Sequence, residues 1–306
     1  MSAVSPSSAV IWYGHLTSRL RLRLAAATLC IIGAAWLLIF LVLPCIVLAA
    51  LAFAQRGNYG TVTWSFTFEN FTRLAGWGIF GWSADYLRIF GRSAVVAAIT
   101  TALSIALAYP MAFFITTRPA RSRYLWLMLV IIPLCTNLVI RTYAWMLILA
   151  PQWPLAKVAA RLGLIDPGAG LYPSPFAVYL GMITSALPFA VLPIYANVER
   201  LDWSLIDAAR DLYASRLRII THAILPQTLP GLYVAVILTF VPSMGMFVVP
   251  DLLGGGKYML VGNLIQQQFD VSRDKPFGAA ISTVLVVLTL IGLFFMRRRK
   301  PGVELV

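Results

Sequence analysis

Residues able to do chemistry are few in this chain, and they are scattered. Arg141 is the one clear charge inside an apolar run, and a charge placed there is costly enough to imply a function or a firm partner. Four roles are open to it: snorkelling to the outer boundary, a structural ion pair, a gate or subunit contact, or contact with a solute. Asp251 follows Pro250 and stands beside Gly254-Gly255-Gly256, where a ligand or another backbone can approach closely. Glu69, Asp85, Asp166, Asp270 and Asp274 lie in the same set of loops. They read either as solvated loop charges or as acids that attract a cation or a basic protein rim. The glycine run is not a phosphate loop, because no strand precedes it and Lys257 lacks a following Ser or Thr. Tyr143, Trp145, Ser243 and Met244 are further candidates for ligand contact, although aromatics near a membrane boundary often belong to an interfacial belt. Cys30, Cys45 and Cys135 sit in apolar runs without metal or redox spacing and read as small buried apolar side chains. No cofactor bound by this chain is expected.

The elements that must position these residues are dictated by composition. Of the 306 residues 60% are hydrophobic and 11% charged, with a mean hydropathy of +0.84. Soluble domains carry roughly 25% charged residues, so lipid surrounds most of this surface. The net charge of +13 does not point to nucleic acid, because the basic residues cluster beside apolar runs. Six runs reach the roughly 20 residues that a spanning helix needs: 24–54, 93–117, 124–150, 173–198, 227–250 and 276–296. Backbone groups left unpaired in hydrocarbon are too costly for any irregular span, which makes the expected fold all-α. The layout is then a segment 1–23, a six-span domain 24–296 and a tail 297–306. Ala52-Phe53-Ala54 resembles a signal-peptidase site, but the run before it is about twice the length of a cleaved signal core, so the first span is expected to stay.

Six spans put both termini on one side. That side carries Arg19 to Arg23, Arg118 to Arg123, Arg200 to Arg218 and Arg297 to Lys300, more than half of the 24 Lys and Arg residues. Basic flanks stay cytoplasmic, so both termini and the segment 199–226 are expected there. Prolines recur inside the runs at Pro44, Pro110, Pro133, Pro188, Pro193 and Pro242. Each removes a backbone donor, and the pair Pro188/Pro193 predicts a bend in the fourth span. Small residues crowd the second span and predict close helix packing.

Segment 199–226 is ordered rather than merely polar. Asp202 or Ser204 can cap a helix, and Ser204-x-x-Asp207 is a weak variant of the capping box. Leu205, Ile206, Ala209, Leu212 and Tyr213 fall on one face at helical spacing. A second piece, 216–225, runs to Pro226. The mixture of acids and bases fits a protein-docking helix better than a basic interfacial anchor.

These residues resemble the EAA loop of ABC importer permeases. Asp207, Ala208 and Ala209 match the acid-Ala-Ala positions, and Leu225-Pro226 matches the later Leu-Pro. The resemblance implies that this loop couples to an ATPase, with Asp207, Ala208, Ala209, Arg210, Leu212, Tyr213, Leu225 and Pro226 as the coupling residues. Three departures stand out: Asp207 for Glu, Ala223 for Ile, and Tyr213 for the glycine that permits a tight turn. Tyr213 must strain that turn, reshape it, or extend the first helix. The stretches IIPLCTNLVIRTYAW, LPFAVLPIY, PDLLGGGKYMLVGNLI and SRDKPFGAA are similar to the polyamine (spermidine/putrescine) branch, particularly its first permease subunit. The resemblance implies a type I importer fold in the bacterial inner membrane. It also implies a second permease, two copies of an ATPase that uses ATP and Mg, and an external solute-binding protein. This chain has no Walker-type site, so it is expected to be a transport subunit and not an enzyme. The alternatives are the same machinery for an opine, amino acid or phosphonate, or a secondary transporter, which the lack of midplane acids disfavours.

Overall fold

A computed structural model describes residues 19–57, 60–78, 81–256 and 258–298. Most of the tail 297–306 and of the segment 1–23 lies outside these residues, as does Lys257.

The chain folds as a helical bundle. Helix α1 (Arg19–Ala52) leads into a small cap of two short antiparallel pairs, Gln55–Arg56 with Val62–Thr63 and Trp77–Gly78 with Gly81–Trp82, around α2 (Glu69–Leu74). Then come α3 (Asp85–Thr116), α4 (Ala120–Cys135), α5 (Leu138–Ile148), α6 (Pro154–Arg161), α7 (Pro175–Val198) and α8 (Trp203–Asp211). The chain continues through α9 (Arg216–Ile219), a π-turn (Ile220–Ile224), α10 (Leu225–Gly245), α11 (Val248–Gly254), α12 (Val261–Asp270) and α13 (Lys275–Arg298). Five helical stretches are long and apolar enough to cross a membrane, and α4 with α5 makes a sixth span if the bent pair is counted as one.

That pair corrects the expectation of one continuous span over 124–150. The chain bends by 98° between α4 and α5. Pro133 supplies no backbone donor, and Asn137 takes an extended conformation and caps α5, accepting from Val139 N at 2.8 Å. The fourth span, by contrast, runs through Pro188 and Pro193 as one helix, so the interruption falls a span earlier than expected. The fifth span ends at Gly245, which places Pro250 and Asp251 in the separate helix α11.

Helix α3 is the spine of the bundle and packs against α7 and α10. Ser93, Ala97, Thr100, Ser104, Ala108 and Ala112 are buried along it. Small side chains let helices approach where the hydrophobic effect cannot drive them together, as its composition predicts. Ala108, Ala112 and Ile115 meet Ala190, Val191, Ile194 and Ala235 in one core cluster. The three cysteines are exposed on the chain, not buried. In a membrane protein an apolar side chain is as well placed facing lipid as facing protein, so apolar flanks alone do not imply burial.

The cap is tied down by polar contacts. Asn70 donates to Ala52 O and Ala54 O at 2.9 and 2.8 Å, closing the C-terminal end of α1. Asp274, only 1% exposed, accepts from Arg73 at 3.0 Å and from Phe277 N at 3.3 Å. The Arg73 guanidinium also lies 4.2 Å from the centre of the Phe277 ring. Asp274 is therefore a structural anchor, which corrects its place among the solvated or cation-attracting loop acids.

Candidate coupling loop and solute path

The loop between α7 and α10 begins at Asp202. Its carboxylate accepts from Ser204 N at 3.0 Å and from the Ser204 hydroxyl at 2.7 Å. Those bonds hold the Asp202 carboxyl below its ordinary value, the Ser204 hydroxyl contributing most. Asp202 is thus the cap. The Ser204–Asp207 capping box does not form: Ser204 lies inside α8 with its N–H and hydroxyl both given to Asp202, and Asp207 pairs instead with Arg210 at 2.9 Å on the exposed face. The backbone of Asp202 also donates to Gln227 Oε1 at 3.1 Å, which fastens the start of α8 to α10.

Of the expected apolar face, Ile206 is buried against the body, whereas Leu205, Leu212 and Tyr213 point outward. Ala208 and Arg210 are exposed and Ala209 is half-buried. Helix α8 closes with a turn in which Tyr213 N donates to Arg210 O at 2.9 Å and Ala214 N to Ala209 O at 3.1 Å. This is the Schellman pattern, whose residue after the cap takes a left-handed conformation and is usually glycine. Tyr213 adopts it with φ +52°. Of the three outcomes open to Tyr213, the structure shows the strained one: the turn survives and the first helix is not extended. The Tyr213 ring is 97% exposed.

Beyond the turn, Leu225-Pro226 does not end a helix. α9, the π-turn and α10 run on as one helical stretch, Arg216–Gly245. Proline cannot donate a hydrogen bond, and its ring crowds the carbonyl four residues back. The wider π-turn just before Leu225 absorbs that mismatch. An open groove of about 770 Å³ beside the loop is lined by Phe113, Trp203, Ile206, Tyr213, Ile219 and Ile224.

The path candidates do not converge. Arg141 donates to Pro133 O at 2.5 Å and to Ser185 Oγ at 3.2 Å. It therefore satisfies a carbonyl released by the break between α4 and α5 and links that break to the fourth span. Tyr143 is exposed, Trp145 half-buried, and Ser243 and Met244 buried near the end of α10. Asp251 lines a polar pocket of about 260 Å³ with Tyr258, Asn263, Gln266, Gln267 and Asp270. Of the six path candidates, Asp251 alone lines it. The two glutamines and Asn263, all on α12, escape sequence reasoning, since uncharged amides between spans carry no local signal.

A bundle of apolar helices with an ordered polar loop between its fourth and fifth spans is the architecture of a multi-span membrane protein. The chain belongs to the family of binding-protein-dependent transport system inner membrane components, which matches residues 104–304. It is 38% identical over 266 residues to the spermidine/putrescine transport system permease protein PotB of Escherichia coli (strain K12), covering 87% of this chain and 94% of that protein. PotB of Haemophilus influenzae is 34% identical, over 86% of this chain and 90% of the relative. The E. coli inner membrane ABC transporter permease YdcU is 30% identical, over 79% and 83%. Two of these three relatives are PotB, the second permease rather than the first, which corrects that ordinal and leaves the branch unchanged. The fold matches a chain of a bacterial ABC transporter involved in the import of alginate, with a TM-score of 0.67 at 17% identity over 94% of this chain and 100% of that one. The fold is that of a type I ABC importer transmembrane domain, and the chain is a transport component rather than an enzyme. Membership in this family sets the secondary transporter aside.

Proposed function

We propose that this chain is the permease subunit of a polyamine ABC importer, moving spermidine or putrescine across the bacterial inner membrane. The observation that carries the reading is 38% identity to PotB across 94% of that protein. In this reading the partners are a second permease, two copies of an ATPase that consumes ATP and Mg, and an external solute-binding protein. A periplasmic solute-loaded protein is bound in the related alginate importer. The basic flanks support a topology in which both termini and α8 are cytoplasmic.

ATP-driven closure of the ATPases pushes on α8. Ile206 and the Asp202–Gln227 bond pass that push to α10 as a rigid lever, since α10 continues from the loop without a break. Exposed Leu205, Leu212 and Tyr213, with the Asp207–Arg210 pair beside them, form the contact surface. Asp251 and Asp270 give the pocket at the other end of α10 a negative rim suited to a cation. Uptake by the full complex in proteoliposomes tests the reading, with spermidine, putrescine and several amino acids compared. Saturable, ATP-dependent polyamine uptake is expected. Uptake of another solute without polyamine uptake overturns the substrate and leaves the coupling mechanism intact.

A further inference from the structure

We propose that the segment 153–164, between the third and fourth spans, is an interfacial foot that lies in the phospholipid headgroup region with its leucines in the acyl layer. The proposal goes beyond the transport reading and does not depend on which solute is carried. Helix α6 divides into three faces at about 100° per residue. Ala156 and Ala159 are buried and seat the helix on the protein. Leu155, Val158 and the capping Leu162 share a second face and are exposed. Lys157 and Arg161 share the third, also exposed.

The turn after α6 extends the apolar face. Gly163 takes a left-handed conformation with φ +70°, and Leu164 N donates back to Ala159 O at 3.0 Å. Leu164 thereby joins Leu155, Val158 and Leu162 around a groove of about 470 Å³, which Phe176 also lines. Phe176 fixes the depth of the groove. It lies in the first turn of the membrane span Pro175–Val198, so the groove sits where that span meets the headgroups.

Charge selects the occupant. The helix carries two bases and no acid, which complements phosphate headgroups while the long basic stems reach outward from the apolar layer. Trp153, exposed at the cap of the helix, is the residue type that favours that boundary. Asp166, just beyond the segment, is the acid next to this face, so a protein partner would have to bury exposed leucines flanked mainly by Lys157 and Arg161.

The test uses the whole complex in nanodiscs of phosphatidylethanolamine and phosphatidylglycerol. Val158, Leu162 and Lys157 are replaced one at a time by photoreactive benzoylphenylalanine, and each variant is checked for uptake. After illumination, adducts of phospholipid mass are expected at Val158 and Leu162, several-fold above those at Lys157. Crosslinks from Val158 and Leu162 to the second permease or the solute-binding protein would overturn the proposal, as would no adduct at either position.

Discussion

Tyr213→Gly puts a number on the strain in the coupling loop. A left-handed backbone costs an L-residue about 1–2 kcal/mol, and Tyr213 holds φ +52°. Its ring is 97% exposed, so deleting it removes no packing within this chain. Glycine removes the steric cost but returns about 0.5–1 kcal/mol through its greater freedom when the loop opens. The net gain is about 0.5–1 kcal/mol, or about two- to fivefold slower opening of the turn. The structure supplies a control for this reasoning. The end of α6 makes the same pair of bonds around Gly163, at the equivalent position and with φ +70°. Amide hydrogen exchange of the purified complex measures the effect at positions 212, 213 and 214, whose N–H groups bond Ala208 O, Arg210 O and Ala209 O. Tyr213→Ala keeps the strain and removes the ring, so its exchange should stay near wild type. Transport by Tyr213→Gly should be intact or improved. Exchange that is unchanged or faster in Tyr213→Gly would refute the strain argument. Slower exchange with complete loss of ATPase coupling would leave the strain argument standing and assign the ring a required contact with the ATPase.

Arg141→Met removes the donors to Pro133 O and Ser185 Oγ and should cost about 1.5–3 kcal/mol. The expected readout is a lower unfolding temperature of the complex with an unchanged KM for solute. A raised KM at an unchanged unfolding temperature would instead make Arg141 a substrate contact. Asp274→Asn weakens a buried anchor whose partner Arg73 is about a third exposed, so the cost should be about 1–3 kcal/mol. It should appear as faster protease cleavage in 55–84, and Arg73→Met in the same chain should recover part of the loss. The Asp202 carboxyl is held below its ordinary value. The cap should therefore persist through the ordinary carboxylate range and fail only as pH falls through the lower folded value. Amide exchange in α8, corrected for its intrinsic pH dependence, should show that acid limb, and Asp202→Asn should flatten it.

What was legible in the sequence divides by the range of the interaction. The spans follow from hydropathy, and the start of α8 from a cap two residues long, Asp202 to Ser204. Asp274 was misplaced because its partner lies 201 residues away, and no local pattern carries that pairing. The break in the third span is the instructive case. Its signals, Pro133 and the Thr136-Asn137 pair, stand in the sequence as a donor lost and a helix cap. An apolar average over 124–150 nevertheless reads through them, because hydropathy measures the solvent around a segment and not its direction. Once the break is known, Arg141 follows from it. A helix that stops inside a span leaves carbonyls without partners where water cannot supply them. A guanidinium placed four residues past the Asn137 cap reaches back to Pro133 O. The only clear charge in the spans is thus explained by the irregular backbone beside it, and that irregularity is affordable in lipid because the charge is there.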